Sequence, residues 1–526
     1  MDSQNMKLRE KIAQLFTFSA LASSLDGETR RIVADLKPGG MFLGTSALID
    51  PEQVGELCHS LQRASLEDGS GIPLFISADL VAGAGCKLRE GATHFPKNRA
   101  LGAAGDEALA YESGRITAQE ALAMGINFNY SPVVDINNNP LNPVIGTHSF
   151  GEDAATVSRL GCAVIRGYQE HGLIATAKHF PGHGDTHIDS HEALPVLPFD
   201  RERLERFELA PFREAIASGV DAVMVGHIAV PAWDASCMPA SLSYPLTTGL
   251  LRERLNFQGL IVTDGLSMKG ITNQFTMEEA CVRAIQAGAD ILLATVDRYE
   301  HAQSVLEAVV AAVEQGDIAE ARIEESYNRI INMKQKYRLT AQKYRRPASS
   351  PETFGSPASQ QVSMAIASKA LTPLRGMEQG ALSGERRNLP WVLIRDRHTS
   401  VFADVLRAYL PDMREETADH YEGTLALLAE LSEDARVLLA ISHNKPVGAA
   451  FAETADRLLG RVQEGWWIHF GSEYDVRDRA VPCLLAYDRA PSLQASAVGY
   501  LLGEEVTIFP EIKRISSAIG HRSFLQ

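Results

Sequence analysis

The chain predicts an α/β protein: an N-terminal (β/α)8 TIM-like barrel, then a smaller C-terminal α/β domain of αβα-sandwich type. Three observations lead there. Eight short apolar runs recur over about 335 residues, each followed by a stretch of helical period. Runs such as GLIVTDG and ADILLAT are continuously apolar rather than alternating, as strands buried on both faces of a parallel sheet must be. Polar residues gather at the C-terminal ends of the runs, where barrel enzymes build their sites: Asp79, Asp135, Lys178 with His179, His227 and Asp264.

Taken in order, the strand candidates are Ile12 to Phe18, Gly40 to Leu43, Pro73 to Leu80, Phe128 to Ile136, Ile174 to Phe180, Ala222 to Ile228, Leu260 to Leu266 and Asp290 to Thr295. Between them, ALAYESGRITAQEALAMG, AATVSRLGCAVIRGYQEHG and MEEACVRAIQAG have helical period, and each ends in Gly, the usual C-terminal stop. Residues 337–359 lose the apolar period and gain Pro, Ser and Arg, which marks a linker. The expected domains are therefore 1–336 and 360–526. In the second, a helix over Gln360–Leu371 precedes the apolar runs WVLI, RVLLAI, WWIHF and CLLAYD, which alternate with helical segments.

A length of 526 residues excludes a single small binding module. Sixty-six Asp and Glu against 50 Lys and Arg give a net charge of -16, which repels a phosphate backbone, so no nucleic-acid partner is expected. Six scattered cysteines without a C-x-x-C pair argue for buried thiols in a reducing compartment. The polar N-terminus and the lack of a long apolar run predict no membrane partner and a cytoplasmic address. No cofactor is expected, since neither a phosphate-binding glycine loop nor a dinucleotide fingerprint occurs. Oligomeric state is not encoded legibly.

The densest chemistry is KHFPGHGDTHIDSH, Lys178 to His191, with four histidines and two aspartates in 14 residues. Its Pro181, Gly182 and Gly184 oppose a helix and predict a long loop over the barrel mouth. Asp189 and His191 are two apart, on one side of an extended backbone, where a carboxylate orients an imidazole for proton transfer. A rival reading is metal binding by His183, His187 and His191, spaced by four, although Pro and Gly spoil the helix that spacing needs. Asp264 ends an apolar run as either a catalytic or a structural carboxylate. Lys178 has a structural alternative as an ion-pair partner of Asp135, and His227 and Met224 stand equally as packed mouth residues.

KHFPGHGDTHIDSHEALP (178–195), SPVVDINNNPLNPVIGTHSFGED (131–153), VMVGHIAVPAWD (223–234) and the stretch from Pro239 to Met268 resemble the β-N-acetylglucosaminidases of glycoside hydrolase family 3. The resemblance covers the barrel and extends more weakly into the second domain. It implies a retaining hydrolysis of a terminal β-linked N-acetylglucosamine-like sugar in a small carbohydrate or amino-sugar conjugate. Asp264 would be the nucleophile, and Asp189 with His191 the acid/base pair. Asp79, Lys178 and His179 would bind sugar hydroxyls, with His148 and Met224 completing the substrate-contacting set. His148 stands where the family carries an arginine, and Val81 and Ala82 where it carries Glu and Gly or a similar small polar pair, which implies altered sugar specificity. The alternatives are a phosphorylase using inorganic phosphate and a catalytically weakened sugar-binding protein.

Overall fold

The computed structural model of the protein describes residues 6–341, 353–418, 420–442 and 447–506. The described chain divides into two compact units. The first comprises Met1–Thr93, Ala110–Asn142 and Glu152–Gly355; the second comprises His94–Leu109, Pro143–Gly151 and Ser356–Gln526. Of the linker expected over 337–359, residues 342–352 lie outside the described part.

In the first unit all eight apolar runs contribute a strand: β1 (Phe16–Ala20), β2 (Gly40–Leu43), β3 (Phe75–Ala78), β4 (Phe128–Asn129), β5 (Thr176–Phe180), β6 (Ala222–Val225), β7 (Leu260–Thr263) and β8 (Leu292–Ala294). The first run is shorter as a strand than its apolar residues suggest. Ile12 and Ala13 belong to the helix Leu8–Ala13, whose buried face is as apolar as the strand that follows. Two parallel arcs form, ordered β4-β3-β2-β1-β8 and β5-β6-β7. Single bridges Phe128↔Ile174 and Val133↔Lys178 on one side, and Val262↔Ile291 on the other, close the arcs into a ring that follows chain order. This is the barrel that the sequence predicts.

The helices start and stop where their chemistry dictates. Asp50 and Asp153 cap Pro51–Glu67 and Ala154–Glu170 by accepting from the Gln53 and Thr156 amides. Met277–Ala287 opens on a Thr276/Glu279 capping box and stops at Gly288, whose φ of 118° suits a residue without Cβ. A Cβ there would also lie 2.2 Å from the Thr248 hydroxyl.

At the N-terminal end of the barrel, Asp290 is fully buried and is held by Arg252, Arg329, Arg322 and Ser326. Nearby, Lys334 rests on Gln14 Oε1 and the Gly39 carbonyl, and burial pulls its ammonium down to about 7. Charges sequestered at this end hold the scaffold.

The second unit is a six-stranded sheet ordered β11-β10-β12-β13-β14-β9. Its strands are β9 (Thr372–Leu374), β10 (Trp391–Arg395), β11 (Arg414–Thr417), β12 (Arg436–Ser442), β13 (Glu464–Phe470) and β14 (Cys483–Leu485). The four apolar runs are β10, β12, β13 and β14, all parallel, and the expected helix spans Pro357–Ala370. Sequence pattern misses β11 and the antiparallel β9. Both are edge strands, and an edge needs no apolar run: β11 reads REET and β9 contains Pro373. Two stretches from inside residues 1–336 pack with this unit. Ala100 of the helix Asn98–Ala104 lies in its core, and Arg99 bonds Glu473.

Candidate active site

The site residues stand at the C-terminal ends of the barrel strands or in the loops that follow them. Asp79 follows β3 directly, and its Oδ1 receives Lys178 Nζ from β5 at 2.5 Å. Lys178 therefore pairs with Asp79 and not with Asp135, correcting the structural alternative above. The reason is a bulge in β5. Register against β6 runs Lys178↔Met224 and then Phe180↔Val225, so His179 is an extra residue, and a bulge re-aims the side chains beside it.

Asp135 takes the neighbouring His179 instead. Its carboxylate is fully buried and accepts from His179 Nδ1 at 2.8 Å and from the His183 amide at 2.7 Å. Burial works to push its pKa up, but His179 and the other donors outweigh it and hold the carboxyl below its ordinary value.

Asp264 follows β7, with its amide on the Val225 carbonyl and its Oδ1 accepting from the Gly265 amide at 2.8 Å. Here too burial pushes the carboxyl up, and the imidazoles of His179 and His227, the Gly265 amide and Lys178 more than offset it. The result is a carboxylate ionised at neutral pH, aimed by a backbone donor. His227, two residues past β6, is fully buried between Ser241 Oγ (2.8 Å) and the Gly265 carbonyl (2.9 Å). Burial holds its imidazole below the ordinary histidine value.

The loop after β5 is bound at many points. Gly184 passes so close to Ile136 that a Cβ would lie 1.8 Å from its carbonyl oxygen. Asn142 Nδ2 donates to the carbonyls of His183 and Gly184, and Asn139 Nδ2 to that of Thr186. At the loop's far end, Asp189 Oδ1 accepts from the His191 backbone at 2.9 Å and from its Nδ1 at 2.8 Å. Because a carboxylate only accepts here, Nδ1 carries a proton and Nε2 is left to exchange one. Ser190, between them, gives its carbonyl to the amide of Gly270, in the turn of helix Lys269–Thr272 just beyond Asp264.

The structure thus brings Asp79, Lys178, His179, Asp189, His191 and Asp264 to one end of the barrel. Met224 lies on β6, buried and in register with Lys178. His148 is in the second unit, at the end of the turn Gly146–His148, where its carbonyl accepts from Asn98. The three histidines of the metal reading are separately engaged: His183 with Thr186 and Ser190, His187 with Asn139, and His191 with Asp189. Among the described residues no group of three or more His, Cys, Asp or Glu is arranged to hold a metal ion.

Sequence reasoning missed the roles of Asp135, His183 and Ser190. The NNN run after Asp135 was the available signal, since amide side chains in a loop commonly bind backbone carbonyls elsewhere.

Residues 7–333 match the glycosyl hydrolase family 3 N terminal domain. A beta-hexosaminidase A of Pseudoalteromonas piscicida is 33% identical over 380 residues, covering 68% of this chain and 62% of that protein, just under two thirds of its length. A beta-N-acetylglucosaminidase/beta-glucosidase of Cellulomonas fimi is 32% identical over 399 residues, covering 74% of this chain and 68% of that one. The solved structure of a glycoside hydrolase family 3 beta-N-acetylglucosaminidase from Paenibacillus sp. str. FPU-7 superposes with a TM-score of 0.86 at 35% identity, covering 95% of this chain and 98% of that one.

Proposed function

The chain belongs to glycoside hydrolase family 3, and from that premise we propose that it removes a terminal β-linked N-acetylglucosamine-like sugar by a retaining, two-step hydrolysis. In the first step Asp264 attacks the anomeric carbon while the bond to the leaving oxygen breaks, and the proton on His191 Nε2 passes to that oxygen. In the second, His191 Nε2 takes a proton from water, whose oxygen attacks the anomeric carbon and releases the Asp264 carboxylate. Each half balances the other, and His191 ends as it began.

The observation that carries the reading is the division of labour between two carboxylates. Asp264 is held ionised by surrounding donors, as a nucleophile must be, and Asp189 spends its Oδ1 on fixing an exposed imidazole. Asp79 with Lys178, and His179 braced by Asp135, supply charged and donor groups suited to a ring of hydroxyls. Met224, Val81 and Ala82 belong to the same proposal as determinants of which sugar is preferred.

Incubation with a slow 2-fluoro glycoside should leave a covalent sugar on Asp264, visible as an intact-mass increase that Asp264→Ala abolishes. An unmodified wild-type protein would sink the covalent mechanism and favour a weakened sugar-binding protein. Turnover that requires added inorganic phosphate would favour the phosphorylase instead. No helix among the described residues is long and apolar enough to cross a membrane, and a cytoplasmic address is supported by six cysteines that form no disulfide.

A further inference from the structure

Ser190 separates the two members of the acid/base pair, and it is tied down at both ends. Its carbonyl accepts from Gly270 at 3.0 Å, and its hydroxyl lies 3.0 Å from Nε2 of His183, an imidazole with only 2% of its surface exposed. The direction of that second bond can be worked out. Thr186 Oγ1 lies 3.0 Å from the His183 carbonyl, and two oxygens at that distance need a proton between them, which only the hydroxyl can supply. Thr186 Oγ1 is then the acceptor for His183 Nδ1, 2.7 Å away. Burial, reinforced by His179, keeps His183 below the ordinary imidazole value, so the ring is neutral and Nε2 carries a lone pair. Ser190 must therefore donate to it.

We infer that His183 is a positioning residue for the acid/base pair: by accepting the Ser190 hydroxyl proton it fixes the backbone carrying Asp189 and His191 against the helix behind Asp264. The His183 amide is itself bound by Asp135, the buried carboxylate that also braces His179. One rigid post thus serves the sugar-facing imidazole and the proton-transferring one. The inference rests on the hydrolytic reading above and adds residues to it that touch no substrate.

The test compares two substrates on the same preparation of full-length protein: a phenyl N-acetyl-β-glucosaminide, whose leaving oxygen needs a proton, and the 2,4-dinitrophenyl analogue, whose leaving oxygen does not. Ser190→Ala and His183→Phe should each lower kcat/KM on the phenyl substrate about tenfold, while kcat/KM on the dinitrophenyl substrate stays within about twofold. Because the ratio is internal, it survives partial loss of folded protein. The double variant should lose no more than the worse single one, as expected of two ends of one hydrogen bond. Equal losses on both substrates, or no loss on either, would overturn the positioning role alone. A wild-type enzyme inert to both would overturn the hydrolytic reading, and this inference with it.

Discussion

Two Asp–His pairs in the barrel have the same bond and opposite settings. His179 Nδ1 meets Asp135 at 2.8 Å with side chains 16% and 0% exposed; His191 Nδ1 meets Asp189 at 2.8 Å with side chains 64% and 13% exposed. The buried pair spends its carboxylate on the His179 ring, the His179 amide and the His183 amide, and acts as a fixture. The open pair leaves one imidazole nitrogen facing outward, where a proton can come and go. Identical contacts therefore do different work, and solvent access assigns the work.

The sharpest way to break this contrast is to remove the group both pairs would serve. Asp264→Ala should reduce glycoside turnover by a factor on the order of 10^4 or more without shifting the melting temperature appreciably, as steady-state assay and calorimetry together would show. His191→Ala should cost about 10^2 to 10^3 in kcat/KM on a substrate with a poor leaving group and leave stability within about 0.5 kcal/mol, because an exposed ring holds little of the fold. Asp135→Asn should reverse that profile. Giving the buried donors around Asp135 a weaker partner costs about 1 to 3 kcal/mol, so a lowered urea midpoint should accompany whatever activity is lost. If Asp189→Asn destabilised the protein as much as Asp135→Asn, exposure would not be what separates the pairs.

Acidification should separate them further. Asp135 ionises more readily in the folded state than in the unfolded one, so its contribution is complete above the ordinary carboxylate range and lost as pH falls through its lower folded value. His183 and His227 are buried in conditions that disfavour their protonation, so the unfolded chain takes up protons first. Their contribution is complete above about pH 6.5 and declines below it, by at most about 1.4 kcal/mol per pH unit per imidazole. Thermal scans between pH 7 and 5 should show falling stability, and His227→Gln should flatten the slope. The smallest effect belongs to a third pair, His301 with Asp297, at 3.0 Å and exposed on both sides. Asp297→Asn should change stability by less than about 0.5 kcal/mol in urea titration and leave activity untouched.

The same pairs show what the sequence can disclose. Asp189 and His191 are two residues apart, and Asp297 and His301 four, so backbone geometry alone puts them in reach. Asp135 and His179 are 44 apart and Asp79 and Lys178 99 apart, and they meet only because a ring of eight strands closes and one strand bulges. The eight strands themselves were legible because strands buried on both faces must be apolar throughout. Strands β9 and β11 were not, because an edge is free to be polar. Asp264 could be picked out by standing at a strand end; His183 could not be picked out from its neighbours, since the segment Lys178 to His191 holds four histidines and only their partners distinguish them.

The interleaved composition of the second unit bears on how the chain is made. The helix Asn98–Ala104, whose Ala100 belongs to that unit's core, is synthesised about 250 residues before the helix Pro357–Ala370. At roughly 5 to 20 residues per second the earlier helix waits tens of seconds for its partners. A polypeptide ended after Gly355 would leave Ala100 without the core it joins in the full chain.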